Sequence, residues 1–147
     1  MTTIHPSKRT AITGALSFTG RYLAQHLLQQ NHTTSILNLS SRTKPISSHN
    51  LTPNLSPKIQ SHPLSFHNPT KLIQALQNVD ILYCTYWIRF EQHGDTHFQA
   101  AERCKVLFEC ARDAGVSKVV FSAHTGISID SPFSYIAGKV RINTYMV

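Results

Sequence analysis

A tyrosine and a lysine near the end of the chain have the spacing of an acid–base pair. Tyr135 and Lys139 stand four residues apart in the stretch YIAGK. In a helix this spacing places both side chains on one face, one turn apart. A neighbouring ammonium group lowers the pKa of a phenol, which can then exchange a proton with a reacting group. The hydroxyls of Ser122 and Thr125, in the preceding stretch FSAHTG, either polarise a substrate carbonyl or only cap a loop.

A glycine turn near the start of the chain has the spacing of a phosphate-binding loop. In TGALSFTG, Gly14 follows a short apolar run and Gly20 opens a helical pattern. Gly14 would form the tight turn and Gly20 would let the helix pack closely on the sheet. Ser17 stands where the backbone must approach a pyrophosphate, and its Cβ weakens the cradle while its hydroxyl can donate to phosphate. The expected cofactor contacts are Gly14, Ala15, Ser17, Phe18, Thr19 and Gly20; the alternative is a turn without a ligand.

The residues after the second predicted strand indicate which dinucleotide would bind. NAD sites usually place an acidic residue there to hold the ribose hydroxyls. This chain has Ser40, Ser41 and Arg42 instead. An arginine can pair with a 2′-phosphate, and hydroxyls can donate to it. NADP is therefore the predicted cofactor, and NAD is the alternative. Arg42 could also be an ordinary surface arginine without a ligand.

The scaffold for these residues is read from alternating apolar segments. We predict strands at 10–13, 34–41, 64–66, 79–86 and 118–123. We predict helices at 20–30, 69–78 and 96–114, and a last helix capped by Ser131 that starts at Pro132 and runs to the chain end. This order favours an α/β fold with a doubly wound parallel sheet of about five strands in the order 3-2-1-4-5, with ligands at the carboxyl ends of the strands.

One segment interrupts the alternation without dividing the chain. Residues 43–63 contain four prolines and no apolar period. A second helix would be usual there, whereas this composition predicts a long flexible loop. The 147 residues are therefore expected to form one nucleotide-binding domain.

Composition narrows the classes of partner. The net charge of +7 is spread over scattered lysines and arginines, so a nucleic-acid partner is not expected. No apolar run has membrane-spanning length, and no membrane partner is expected. Three cysteines without a CxxC pair fit buried thiols in a reducing, cytoplasmic setting.

Two further side-chain groups have competing explanations. His93 and His97 are four apart, but Gly94 lies between them and no third ligand is apparent, so we expect loop and cap residues and no metal. Trp87 follows the fourth predicted strand, where it either stacks on a ligand or packs against the neighbouring helix.

Four stretches together resemble the short-chain dehydrogenase/reductase superfamily. They are TGALSFTGRYLAQHLL, YCTYWIRF, LFECARDAGVSKVVFSA and DSPFSYIAGK, and they span nearly the whole chain. The resemblance is strongest to the extended and atypical members of the NAD-dependent epimerase/dehydratase and NmrA-like types. It implies a Rossmann-like fold, a pyrophosphate at Gly14, Ser17 and Gly20, and Arg42 at the adenosine phosphate.

The same resemblance implies the catalytic half of the site. Thr85 and Tyr86 would lie beside the nicotinamide ribose, Tyr135 and Lys139 would be the acid–base pair, and Lys139 would also contact the cofactor. The reaction in complete relatives would be hydride transfer to or from a carbonyl or alcohol carbon of an unknown small molecule. Such proteins continue through a C-terminal substrate region, which we expect to be absent here, so that the chain alone would have little activity. The alternative is a non-catalytic NADP-binding redox sensor, regulator or assembly subunit of NmrA-like type.

Overall fold

Five parallel strands and four helices make up the described part of the chain. The computed structural model describes residues 8–40, 56–123 and 128–146. The strands are β1 (Arg9–Thr13), β2 (Ser35–Leu39), β3 (Ile59–His62), β4 (Ile81–Cys84) and β5 (Lys118–Phe121). The helices are α1 (Phe18–Gln29), α2 (Pro69–Ala75), α3 (His97–Asp113) and α4 (Ser134–Met146), with a short 3₁₀ turn at Ser56–Lys58.

The strand order is β3-β2-β1-β4-β5, and every pairing is parallel. The predicted Rossmann-like doubly wound α/β fold is thereby confirmed. The chain begins in the middle of the sheet at β1, moves outward to β3 and returns to β4 on the other side of β1. Loops after β1 and β4 therefore diverge and leave a crevice at the carboxyl edge of the sheet, where ligands bind in such folds.

The two faces of the sheet are covered by different helices. On one face, Leu27 and Leu28 of α1 pack against Ile12 and Ile36. On the other, α2, α3 and α4 enclose a larger apolar cluster around Leu82. Alternate residues of a strand point to opposite faces, so each central strand contributes to both clusters.

Helix ends follow the signals in the sequence. Asn68 caps α2 through a bond from the backbone N–H of Lys71, and Pro69 is its first residue, as predicted. Thr96 and Gln99 form a reciprocal capping box at the start of α3. Gly115, with φ of +84°, follows its end. The predicted bounds of α3 are confirmed.

The third strand lies elsewhere than predicted. Residues 59–62 form β3, whereas residues 64–66 do not, so the end of the predicted loop at 43–63 is a 3₁₀ turn and a strand. Ile59 pairs with Ile36 of β2, and the ladder continues to His62. Backbone pairing with β2, rather than an apolar pattern, places this strand. Residues 43–55 lie outside the described part of the chain, and their predicted flexibility remains a prediction.

The predicted start of the last helix was wrong. Helix α4 begins at Ser134, because the Ser131 hydroxyl accepts a bond from the backbone N–H of Phe133 in a local turn before the helix. In α3, Phe98 is 38% exposed and lies under the guanidinium of Arg141. In α1, Tyr22 is largely exposed.

All three cysteines are buried, as expected, and they are free thiols. Among the described residues, no helix has both the length and the apolar character needed to cross a bilayer.

Candidate functional site

A cleft opens at the carboxyl edge of the sheet, between the ends of β1, β2 and β4. Its volume is about 290 Å³. The side chains and backbone that line it are Thr13, Gly14, Ser17, Leu39, Ser40, Leu64, Phe66, Thr85, Tyr86 and Trp87. The lining therefore combines apolar and aromatic side chains with the glycine turn and hydroxyl groups. Four of the predicted cofactor contacts, Gly14, Ser17, Thr85 and Tyr86, line this cleft.

The glycine turn has the conformation that a phosphate cradle requires. Gly14 adopts a φ of +68°, which side chains disfavour. A Cβ on Gly20 would lie 1.9 Å from the carbonyl oxygen of Gly14, so only glycine lets α1 begin this close to the turn. The N-terminus of α1 consequently abuts the cleft, and its partial positive charge favours an anionic ligand. Phe18 and Thr19, in the first turn of α1, have exposed side chains.

Ser17 acts as the N-cap of α1. Its hydroxyl accepts a bond from the backbone N–H of Gly20 at 3.2 Å. Its backbone is extended, with φ of −74° and ψ of 173°, so this position does not require glycine. A hydroxyl that accepts one bond still carries a proton, and Ser17 can donate it to a phosphate oxygen. The serine is therefore compatible with a working cradle.

Asn38 holds the turn in place, and the sequence analysis did not select it. Its side-chain oxygen accepts from the backbone N–H of Ala15 at 2.8 Å, and its amide donates to the Ser61 hydroxyl at 3.1 Å. Asn38 is fully buried in β2. The N–H of Ala15 is thus committed to the protein. A polar amide within the apolar run SILNL was the signal that could have identified this residue.

The end of β4 is fastened to the end of β1. The Thr85 hydroxyl donates to the Thr13 carbonyl at 2.6 Å, and the Thr13 hydroxyl accepts from the backbone N–H of Thr85 at 2.8 Å. This pair of bonds fixes the two strand ends whose loops border the cleft. Thr85 therefore lines the cleft with its hydroxyl proton already committed to Thr13.

Tyr86 forms one wall of the cleft. Its ring packs on that of Phe66, with centroids 4.9 Å apart, and its hydroxyl accepts a bond from Arg103 at 3.2 Å. Arg103 also pairs with Asp95 at 2.7 Å, so α3 and the loop before it hold this wall. Burial raises the pKa of the Tyr86 phenol, although the hydrogen bond from Arg103 opposes the shift. Tyr86 therefore remains a neutral phenol at physiological pH.

Tyr135 and Lys139 lie together on α4, but neither is one of the described residues that line the cleft. Lys139 is 6% exposed and donates to the carbonyl oxygen of Ser122 at 3.0 Å. Its ammonium lies 5.4 Å from the centre of the Tyr135 ring. Burial lowers the pKa of Lys139. The predicted proximity of the two side chains is thus present, with the ammonium beside the Tyr135 ring.

Trp87 stands at the boundary between the cleft and this pair. Its indole lines the cleft and lies 5.5 Å from the Lys139 ammonium and 5.8 Å, edge-on, from the Tyr135 ring. The indole also stacks on His97, with centroids 5.9 Å apart and planes 12° from parallel. The foreseen packing of Trp87 against a helix is therefore present, and the ring also lines the cleft. Its stacking on a ligand remains a prediction.

His97 is the first residue of α3 and not its cap, and its side chain is buried rather than in a loop. Its Nδ1 lies 2.8 Å from the Ser134 hydroxyl and 3.2 Å from a carboxylate oxygen of Glu91. The imidazole also contacts Tyr135 edge-on at 5.3 Å. Among the described residues, no cluster of side chains could hold a metal ion. His97 instead packs against the rings of Trp87 and Tyr135.

Three further predicted site residues are Ser122, which the structure describes, and Arg42 and Thr125, which it does not. The backbone carbonyl of Ser122 holds Lys139, while the Ser122 side chain is exposed. Arg42, predicted at the adenosine phosphate, and Thr125, a candidate for polarising a carbonyl, lie outside the described residues. Their roles remain predictions.

Comparison with known families assigns most of the chain. The model of the NAD dependent epimerase/dehydratase family matches residues 10–126, which includes the glycine turn and all five strands except Arg9, the first residue of β1. A search of curated proteins finds no significant match.

Solved structures share the fold at low sequence identity. A wide-type short-chain dehydrogenase/reductase from Veillonella parvula, in complex with NADP, is 16% identical with a TM-score of 0.67; the match covers 95% of this chain and 64% of that one. A nucleoside-diphosphate-sugar epimerase from Staphylococcus aureus is 14% identical with a TM-score of 0.68, covering 94% and 46%. A triphenylmethane reductase from Citrobacter is 21% identical with a TM-score of 0.61, covering 92% and 45%.

The chain thus spans less than two thirds of the length of these structures. The family match covers the parallel sheet and the cleft at its carboxyl edge. From this match we conclude that the chain belongs to the NAD dependent epimerase/dehydratase family.

Proposed function

We propose that this chain is the NADP-binding part of a short-chain oxidoreductase or nucleotide-sugar-epimerase-like protein. The observation that carries the proposal is the cleft in which the glycine turn, the N-terminus of α1 and the ends of β2 and β4 meet. Anionic groups bind at such helix N-termini, and dinucleotides bind at such crevices.

The residues present fit a dinucleotide. Gly14 and Gly20 permit the close turn at which a pyrophosphate would lie, and Ser17 offers a hydroxyl donor. Leu39, Leu64 and Phe66 give the lining an apolar part, which suits an adenine ring. No acidic residue is present among the first residues after β2, and Arg42 there would pair with a 2′-phosphate. The NADP complex of the Veillonella structure supports the choice of NADP over NAD.

Tyr135 and Lys139 would perform the proton chemistry. A bound nicotinamide would supply hydride transfer to or from a carbonyl carbon. Tyr135 would give or take the proton at the carbonyl oxygen, and Lys139, held by the Ser122 carbonyl, would lie beside it. The substrate would be a small molecule.

The proposal is tested by direct binding. Trp87 is the single tryptophan of the chain and lines the cleft, so its fluorescence reports on the site without a label. Titration with NADP⁺ should quench its emission with saturation, and NAD⁺ should bind more weakly. Unchanged emission, confirmed by calorimetry without heat of binding, would contradict the proposal.

The choice between the two dinucleotides is tested at Arg42. Arg42→Asp replaces a phosphate partner with a repelling charge and should reverse the preference. Arg112→Asp makes the same charge change at an exposed position at the far end of α3 and serves as the control. Equal affinity of the unaltered protein for NADP⁺ and NAD⁺ would show that Arg42 does not select the cofactor.

A second candidate function is binding without turnover, as in a redox sensor, regulator or assembly subunit of NmrA-like type. It is favoured by one observation, that Tyr135 and Lys139 lie outside the lining of the cleft. Oxidation of NADPH with a panel of carbonyl compounds separates the candidates. The assay uses the chain alone and a fusion that adds the C-terminal region of a full-length relative. Saturable turnover by either protein, abolished by Tyr135→Phe, indicates the enzyme, whereas tight NADPH binding with no turnover by either indicates the sensor.

A further inference from the structure

We propose that Trp87 is an occluding residue: its indole separates a nucleotide bound in the cleft from Tyr135 and Lys139, and must move before either can contact that nucleotide. The inference rests on the proposed function, because it concerns the regulation of the same site. In this conformation a nucleotide can bind in the cleft, but it cannot contact Tyr135 or Lys139.

The cleft presents the Trp87 indole to a ligand. Trp87 belongs to its lining, whereas Tyr135, Lys139 and Ser122 do not. The indole lies within 6 Å of both members of the pair, measured to the Lys139 ammonium and to the Tyr135 ring centre. A ligand at the β4 side of the cleft therefore meets the indole before the phenol.

Contacts with His97 and Gly138 hold the indole in this position. One face stacks on His97, whose Nδ1 is fixed by Ser134 and Glu91. At its far edge, a Cβ on Gly138 would approach the Cη2 atom of the ring to 3.1 Å, so the absence of a side chain at this position makes room for the indole. The ring is therefore clamped between the starts of α3 and α4.

The ring nitrogens of Trp87 and His97 determine what displacement of the indole would cost. The indole Nε1 of Trp87 is buried without a hydrogen-bond partner among the described residues, and so is Nε2 of His97. Buried polar groups are normally paired, and an unpaired one is unfavourable. The closed position is thus held by ring packing and by the Lys139 ammonium over the indole, with no hydrogen bond from Nε1 to a described residue. Displacement of the indole breaks no hydrogen bond and allows both nitrogens to find partners, which makes this contact suited to opening.

The first experiment requires no nucleotide. Acrylamide quenching of the single tryptophan should be weak in the unaltered protein, and His97→Ala should raise the quenching constant at least twofold by removing the ring on which the indole stacks. His32→Ala, at an exposed histidine beyond α1, should leave it unchanged. Quenching of the unaltered protein as strong as that of free N-acetyltryptophanamide would overturn the inference, since the indole would not be clamped.

The second experiment follows the tyrosines with bound nucleotide. The protein is labelled with 3-fluorotyrosine, and Tyr86→Phe and Tyr135→Phe assign two of its five fluorine signals. Saturating NADP⁺ should shift the signal of Tyr86, which lines the cleft, and leave that of Tyr135 in place. In Trp87→Ala both signals should shift. Trp87→Leu, which retains apolar bulk, provides the same comparison if the alanine variant does not fold.

The outcomes are separable. A Tyr135 shift in the unaltered protein as large as in the Trp87 variants would overturn the occlusion. A Tyr86 shift without a Tyr135 shift in the folded variants would overturn it as well, because removal of the indole would not have connected the two. If no signal moves in any protein, the proposed nucleotide binding fails, and the quenching experiment alone decides whether the indole is clamped.

Discussion

Replacement of Gly20 by alanine sets two effects of opposite sign against each other. Alanine at a helical position is more favourable than glycine by about 1 kcal/mol. Against this, the new Cβ would lie 1.9 Å from the Gly14 carbonyl oxygen and 2.7 Å from its carbon. These are backbone atoms with no rotamer to change, so α1 must move away from the turn by roughly an ångström.

The displacement of α1 disturbs a packed interface. Ala24 and Leu28 on the same helix are almost completely buried against the sheet. Overpacking of a filled core costs typically about 1–3 kcal/mol, and strain on backbone atoms falls at the upper end. We therefore expect Gly20→Ala to lower the free energy of unfolding by about 2 kcal/mol after the helix gain is subtracted. Because the helix N-terminus moves with the helix, affinity for NADP⁺ should fall at least about tenfold.

Urea unfolding followed by circular dichroism measures the first quantity, and quenching of Trp87 emission measures the second. Gly115→Ala is the matched control: its Cβ would meet nothing within 4 Å, and its φ of +84° gives only the left-handed penalty of about 1 kcal/mol. Its nucleotide affinity should not change. A Gly20→Ala protein as stable as the original, or more stable, would refute the close approach of α1 to the turn.

Substitutions at three further positions test individual contacts. Asn38→Ala leaves the buried N–H of Ala15 without its acceptor and should cost about 2–3 kcal/mol in urea unfolding, with an unchanged stability contradicting the role of the amide. Ser17→Ala removes the cap on α1 and should cost about 1 kcal/mol, whereas Ser17→Gly should cost only a few tenths, so equal losses would speak against capping. Lys139→Met tests the buried ammonium. Burial lowers the pKa of Lys139 below its usual 10.5, so between the lowered pKa and 10.5 the unfolded state binds a proton that the folded state does not. The unaltered protein should therefore gain stability relative to the variant as pH rises through this interval. A constant difference across that range would show that Lys139 is not desolvated.

Local signals in the sequence were sufficient for the order of elements and for the cradle. The apolar run before Gly14, the cap at Asn68 with its proline, and the stop at Gly115 each act through neighbouring residues, and each has the predicted role. Tyr135 and Lys139 are close for the same reason, since one helical turn brings them together. Such features depend on backbone geometry over a few residues, which the sequence states directly.

Contacts between distant segments were not accessible in this way. The position of β3 depends on its ladder with β2, and Ile59 has little else to mark it as a strand residue. The role of Asn38 appears only when the turn after β1 comes to lie beside β2. Neither contact has a local pattern, because each joins segments more than twenty residues apart.

The relation between the cleft and the acid–base pair was decided by tertiary structure alone. The sequence by itself indicated a glycine turn and a Tyr135–Lys139 pair on one scaffold, because each depends on a short stretch of residues. How the two lie relative to each other depends on the packing of α3 and α4 at the end of β4, where His97 stacks on Trp87 and Gly138 leaves room for its ring. That packing is a many-residue outcome of filling the core, and it places the Trp87 indole, which lines the cleft, edge-on against the Tyr135 ring.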